Sequence, residues 1–171
     1  MKKEKVVLVD KNNKKIGIEE KIRAHTEGKL HRAFSIFIFN SKNELLLQRR
    51  AKTKYHCGGL WTNTCCSHPR PGEKIIDAAK RRLKEEMGII TEDIWNVSSF
   101  IYKAILGNGL TEHEYDYVLA GNYNESPKIN LKEVDNWKWV TLEELKKDIK
   151  ENADKYTPWF RIILEKYLDK L

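Results

Sequence analysis

A thiol and an imidazole stand two positions apart in Trp61-Thr62-Asn63-Thr64-Cys65-Cys66-Ser67-His68, and no other feature constrains this chain as tightly. The stretch runs through Pro69-Arg70-Pro71-Gly72-Glu73 into a charged segment ending Arg81-Arg82-Leu83-Lys84-Glu85-Glu86-Met87-Gly88. The thiol offers an acid, a base or a nucleophile, and the imidazole offers a metal ligand. Each piece alone has a structural explanation: buried cysteine is common packing material, and a charged helix is usually a solvated face. The fold has to accommodate their conjunction.

Around this stretch the chain alternates strands with a few helices. Phe34-Ser35-Ile36-Phe37-Ile38-Phe39 is apolar almost throughout, which predicts a central strand. Asn40 to Asn43 is turn chemistry, and Glu44 to Gln48 returns as a second strand. Val6 to Val9 and Lys15 to Ile18 read as an edge hairpin. Further strands are predicted over Trp95 to Leu106, Glu112 to Val118 and Trp137 to Val140, the first two joined by the tight turn Gly107-Asn108-Gly109. Ile75 to Met87 reads as a helix that starts after Pro71-Gly72 and stops at Gly88. Thr141-Leu142-Glu143-Glu144 is a capping box. Pro158-Trp159 opens a terminal helix, Phe160 to Leu171, with Phe160, Ile163, Leu164 and Tyr167 on one stripe. The expected class is α/β or α+β with a mixed sheet. The 171 residues fit a single domain, and no repeat, linker or low-complexity tract divides them.

Composition narrows the function. A net charge of +7 favours anionic partners. The basic residues are mixed with 25 acids, and no basic block carries interleaved aromatics, so a small phosphorylated ligand is expected rather than nucleic acid. No apolar run approaches the roughly 20 residues needed to span a bilayer. The basic start, Met1-Lys2-Lys3-Glu4-Lys5, has no apolar region behind it, so a cytoplasmic protein without a membrane partner is expected. Three cysteines, two of them adjacent, argue against a disulfide framework.

Several clusters carry chemistry with alternatives open. Arg49-Arg50, Lys52 and Lys54 can grip a polyanion or form a solvated loop. Arg81 and Glu85, like Arg82 and Glu86, are four apart and meet on one helix face. Glu85 and Glu86 can serve a hard cation such as Mg²⁺ or a salt-bridged surface. Period-2 alternation puts Glu112, Glu114 and Asp116 on one face, where they repel unless a cation or solvent intervenes, and this marks a metal or acid-base candidate. His25 and His31, taken alone, are more often surface or core residues than ligands.

Ser67 to Ile89 resembles the Nudix box: Glu73, Arg81, Leu83, Glu85, Glu86, Gly88 and Ile89 fall in register. Ser67 stands where the box opens on Gly, and Arg82 where it carries a second Glu. With His25, His31-Arg32-Ala33-Phe34, Arg49-Arg50-Ala51, Trp61-Thr62-Asn63, Cys66-Ser67-His68-Pro69, Tyr102, Glu112-His113-Glu114 and Pro158-Trp159, the chain is similar to the type I isopentenyl-diphosphate isomerases. That resemblance implies a Nudix-type mixed sheet sandwiched between helices. It also implies a 1,3-allylic proton transposition between isopentenyl and dimethylallyl diphosphate, through a carbocation that water must not reach.

The resemblance further implies the roles. Cys66 is the acid-base group on one face of the substrate, and Glu114, aided by Tyr102, its counterpart on the other. His25, His31, His68, Glu112 and Glu114 hold one divalent metal, a donor set that suits Zn²⁺ or Mn²⁺ and also admits Mg²⁺. Lys21, Arg50, Lys54 and Arg82 hold the diphosphate, with Mg²⁺ bridging to Glu86, and Trp159 faces the cation with its π-cloud. Cys65 is packing material, His113 faces away, and His56 and Cys57 have no assigned role. A monomer or weak dimer is expected. Two competing readings are a Nudix hydrolase, which the loss of the box Glu at Arg82 disfavours, and a catalytically silent binding module, which has no use for a proton-transfer pair.

Overall fold

The computed structural model describes residues 3–171; Met1 and Lys2, which open the basic N-terminal run, lie outside the described residues. The apolar run forms β3 (His31–Phe39), and the rest of the sheet is arranged on it. One edge of β3 pairs in parallel with β8 (Leu110–Asn122) along its whole length, from His31↔Glu114 to Phe39↔Asn122. Its other edge is shared by three antiparallel partners. These are β1 (Lys5–Val9) at His31, β6 (Cys65–Ser67) at Phe34 to Ile36, and β4 (Glu44–Arg50) at Phe39.

The expected edge hairpin is present: β2 (Lys15–Glu20) lies outside β1. β7 (Ile94–Gly107) covers the far side of β8. β9 (Val134–Thr141) and the short β5 (Trp61–Thr62) flank β4. The mixed sheet agrees with the class read from the sequence. β3 starts earlier than the apolar run because its pairing with β8 continues to His31.

Alternation along β3 divides the core. Phe34, Ile36 and Ile38 pack with Ala78, Ala79, Leu83 and Met87 of α2 (Ile75–Met87) on one face. Phe37 and Phe39 pack with Trp159, Phe160 and Ile163 of α4 (Pro158–Tyr167) on the other. A strand buried on both faces needs apolar side chains at odd and even positions, as this run supplies. The helix α2 ends at Gly88, whose φ of 65° and whose approach to the Lys128 carbonyl, 2.5 Å from where a Cβ would stand, leave room only for glycine. The capping box forms as read, with Thr141 capping α3 (Leu142–Glu151). The terminal helix ends at Tyr167, and Leu168–Lys170 winds as a 3₁₀ turn.

Several short elements are not among those expected: β5, β6, a 3₁₀ turn at Ala153–Lys155, and Lys21–Thr26, which forms α1, a single six-residue helix too short to show a periodic pattern. Among the described residues no helix is long and apolar enough to cross a membrane.

Candidate active site

Four imidazole or carboxylate groups from four elements converge where α1, β3, β6 and β8 meet. His25 comes from α1 and His31 from the start of β3, and both are fully buried. Each uses Nδ1 on a local carbonyl, His25 on Lys21 O and His31 on Lys29 O, both at 2.7 Å. A ring nitrogen facing a carbonyl carries the proton, so both Nε2 atoms are left as lone pairs. His68 follows β6, and Glu114 lies beside His31 in the β3–β8 register.

His31 Nε2 is 3.2 Å from His68 Nε2, and His68 Nε2 is 3.0 Å from Glu114 Oε1. The same oxygen lies 3.5 Å from His31 Nε2 and 4.0 Å from His25 Nε2. Ligands about 2.1 Å from an ion at tetrahedral angles stand about 3.4 Å apart, so these separations suit one divalent cation. The donors and burial fit such an ion, and His25 Nε2 has no other partner among the described residues. Burial holds the His68 imidazole neutral, with its pKa down to about 3 despite Glu114, which leaves it in the form that ligates. Burial would raise the Glu114 carboxyl, but its close contacts with His31 and His68 hold it well below the usual range.

Glu112 is arranged differently from the set read in the sequence. It groups with His25 and His56 rather than with all four donors above. The Tyr102 hydroxyl donates to Glu114 Oε2 at 2.7 Å and lies 3.0 Å from Glu112 Oε2. Burial, then the Glu114 charge, pushes the Glu112 carboxyl well up, so it is the protonated member of this pair. Glu86 stands apart from both groups; it receives Arg82 Nη2 at 2.5 Å and Gln48 Nε2 at 3.0 Å.

Cys66 projects from β6 into the same cavity as Glu112, Glu114 and Tyr102. Its thiol donates to Asn63 Oδ1 at 3.0 Å and lies 3.4 Å from Ser35 Oγ. Burial, and then the charge on Asp116, push the thiol far up, so it carries its proton. Asp116, the third carboxylate of the β8 face, is fully buried and accepts from Ser35 Oγ at 2.8 Å. Cys65 is buried in the core facing α2, as packing material should be. His113 faces away from the carboxylates and contacts Gly28 O.

The cations expected to hold a polyanion line this cavity together: Lys21, Arg50, Lys54 and Arg82, with Trp159 beside them. Each has a partner. Lys21 bonds Glu4 at 2.8 Å, Lys54 bonds Glu133 at 2.5 Å, Arg82 bonds Glu86, and Arg50 donates to His56 O at 3.2 Å. The Arg50 guanidinium lies 5.2 Å from the Trp159 ring centroid. Trp159 is both core and cavity wall, its Nε1 without a partner among the described residues. The cavity measures about 40 Å³.

Ser35, Tyr55 and His56 line the cavity and were not legible as site residues. Ser35 had a signal, being the one polar residue of its apolar run. His56 is brought in by the loop between β4 and β5, with its ring 5.6 Å from that of Trp159. Nothing in the sequence around it announces that.

Comparison with known proteins agrees with this geometry. Residues 29–160 match the model of the NUDIX domain family. The chain is 54% identical over 159 residues to isopentenyl-diphosphate Delta-isomerase 2 of Photorhabdus laumondii, covering 93% of this chain and 89% of that protein. It is 49% identical over 165 residues to isopentenyl-diphosphate Delta-isomerase 2 of Aromatoleum aromaticum, covering 96% and 87%. Its fold is similar to that of a Deinococcus radiodurans protein of known structure, with a TM-score of 0.73 at 20% identity over 87% of this chain and 90% of the other.

Proposed function

This chain belongs to the NUDIX family and, within it, to the isopentenyl-diphosphate Delta-isomerases, and from that premise we propose how its own residues move the double bond. The substrate is isopentenyl diphosphate, the product dimethylallyl diphosphate, and the whole chain acts as one catalytic unit without nucleic acid. The observation that carries the assignment of roles is that Cys66 and the Tyr102–Glu114 pair, from strands on opposite edges of β3, line one cavity with four cations.

Transposition adds a proton to the terminal methylene, leaves a tertiary cation, and removes a proton from the carbon on the diphosphate side. Two groups on opposite faces are needed, one to give and one to take. Cys66 holds a proton and Glu114 is ionised, so the thiol gives and the carboxylate takes in one direction; the roles exchange in reverse. Tyr102 holds Glu114 in place through its hydroxyl. Trp159 presents an aromatic face where positive charge develops. Lys21, Arg50, Lys54 and Arg82 take the diphosphate, and Arg82, standing where a hydrolase carries a metal-binding Glu, grips that group without cleaving it.

His25, His31, His68 and Glu114, with Glu112 adjoining, would hold a divalent ion, Zn²⁺, Mn²⁺ or Mg²⁺, and Glu86 would help to hold a Mg²⁺ that offsets diphosphate charge. When bound, the ion orients the Glu114 carboxyl and sets its basicity. The buried Tyr102 and Trp159 walls would limit the water around a cation. The test is incubation with isopentenyl diphosphate and Mg²⁺ in deuterated water, followed by NMR. Deuterated dimethylallyl diphosphate without released phosphate is expected. Released phosphate would assign a hydrolase, and unchanged substrate a binding module.

A further inference from the structure

Cys66 and Glu114 belong to different strands, and a reaction between two faces of one small molecule depends on their separation. β3 lies between them: Ser35 pairs with Cys66 across one edge, and Ala33 pairs with Asp116 across the other. Asp116 lies two positions from Glu114 on the same face of β8. The Ser35 hydroxyl links the two sides, donating to Asp116 Oδ2 at 2.8 Å and meeting Cys66 Sγ at 3.4 Å.

A serine hydroxyl has one proton and two lone pairs; with the proton given to Asp116 Oδ2, a lone pair is left to accept from the Cys66 thiol, which Ser35 Oγ and Asn63 Oδ1 share. On the other side of the sulfur stands Asn63. Its Nδ2 donates to Ile36 O at 3.0 Å and to Cys65 O at 3.1 Å, which fixes the amide and turns Oδ1 toward Cys66 Sγ. The sulfur is therefore clamped between two oxygens, each held from behind. Asp116 Oδ1 has no partner among the described residues, so the bond from Ser35 is the one contact that this buried carboxyl makes. A buried carboxyl with one hydrogen bond is costly, and chain folding alone gives no reason for it.

We infer that Ser35 and Asp116 are positioning residues: the chain Cys66–Ser35–Asp116 crosses β6, β3 and β8 and sets where the thiol stands relative to Glu114. This inference rests on the isomerase reading above. Neither residue needs to touch substrate. A misplacement of about 1 Å in such a site costs on the order of 100-fold in rate.

Steady-state kinetics on the metal-loaded protein test this. Ser35→Ala is expected to lower kcat roughly 10- to 100-fold with KM changed by less than about threefold, since the substrate's contacts are kept and only alignment is lost. Asp116→Asn keeps an oxygen acceptor and loses several-fold less than that. In the Ser35→Ala background it loses nothing further, because both changes act through one chain. A Ser35→Ala kcat within twofold of the parent, or losses that multiply in the double variant, overturns the inference. Should Ser35→Ala fail to fold, Ser35→Cys is nearly isosteric and only a weak donor; roughly a 3- to 10-fold loss of kcat is expected, and parental kcat overturns the inference. If the parent does not isomerise, the functional reading fails. The clamp is then read by mass spectrometry of Cys66 alkylation by iodoacetamide: the rate changes several-fold in Ser35→Ala, and an unchanged rate overturns the inference.

Discussion

On one wall of the cavity, three imidazoles crowd a single carboxylate oxygen; on the other, four cations each have a partner. The imidazole wall is crowded, because a neutral His68 has at most one Nε2 proton for both His31 Nε2 at 3.2 Å and Glu114 Oε1 at 3.0 Å. In the proposed function a cation completes it. On the cationic wall Lys21, Lys54 and Arg82 already meet carboxylates, so an arriving diphosphate exchanges one anion for another there, whereas Arg50 meets only a neutral carbonyl and its Nε has no partner among the described residues. The first wall should therefore behave as all-or-none and the second as graded.

The strongest challenge to that contrast is removal of the proton carriers. Cys66→Ala and Glu114→Gln are each expected to lower kcat by about 10⁴-fold or more, as when one member of a catalytic set is lost. The fold should remain intact by circular dichroism. Residual turnover near the parent in either variant would move the proton transfer elsewhere. Chelation comes next: it should abolish activity and lower Tm, with both restored by added divalent metal. An ion at a thousandfold excess over its Kd contributes about 4 kcal/mol to stability. Indifference of Tm to chelator would mean that the imidazoles are at rest without an ion, and the contrast would fail.

The cationic wall should give smaller, opposing effects. Lys54→Ala is expected to raise KM about 10-fold with kcat nearly unchanged, in keeping with the loss of one charge-assisted bond of about 1.5–3 kcal/mol. Glu133→Gln frees Lys54 from its 2.5 Å partner and should lower KM modestly. KM moving the same way in both would show that the ion pair, rather than the lysine, serves the substrate.

The smallest effect is in pH. Burial, then the nearby Arg50, lower the His56 pKa to about 3 in the folded chain. The unfolded chain, near the ordinary 6.5, binds the extra proton between those values, so stability falls as pH drops through that window. His56→Asn should flatten the decline of Tm below pH 6.5, and an unchanged slope would assign the decline to the other imidazoles.

The parts of the site that follow strand or helix periodicity were legible in the sequence. Glu112, Glu114 and Asp116 alternate on β8, and all three are buried as their shared face requires. Arg82 and Glu86 are a helical turn apart and bond each other. What was hidden depends on pairing between distant strands or on irregular backbone. Ser35 acquires its role only when β6 and β8 flank β3, and no local pattern in Phe34 to Phe39 contains that information. His56 arrives on a loop with no period, and α1 is a single helical stretch whose importance is to place His25. The grouping of Glu112 with His56 likewise depends on that loop.

The parallel ladder between β3 and β8 also bears on how the chain is made. Ser35 and Asp116 are 81 residues apart, so at roughly 5–20 residues per second a ribosome needs roughly 4–16 seconds to deliver the second after the first. Throughout that interval one long edge of the most apolar strand has no partner, and such edges recruit other chains. Hairpins β1–β2 and β3–β4 can close early, but the ladder that completes the site is the slow, non-local step. Assembly of the proposed metal site, which needs His31 beside Glu114, is thus a late event in the life of each molecule, and its onset after translation would report that the sheet has closed.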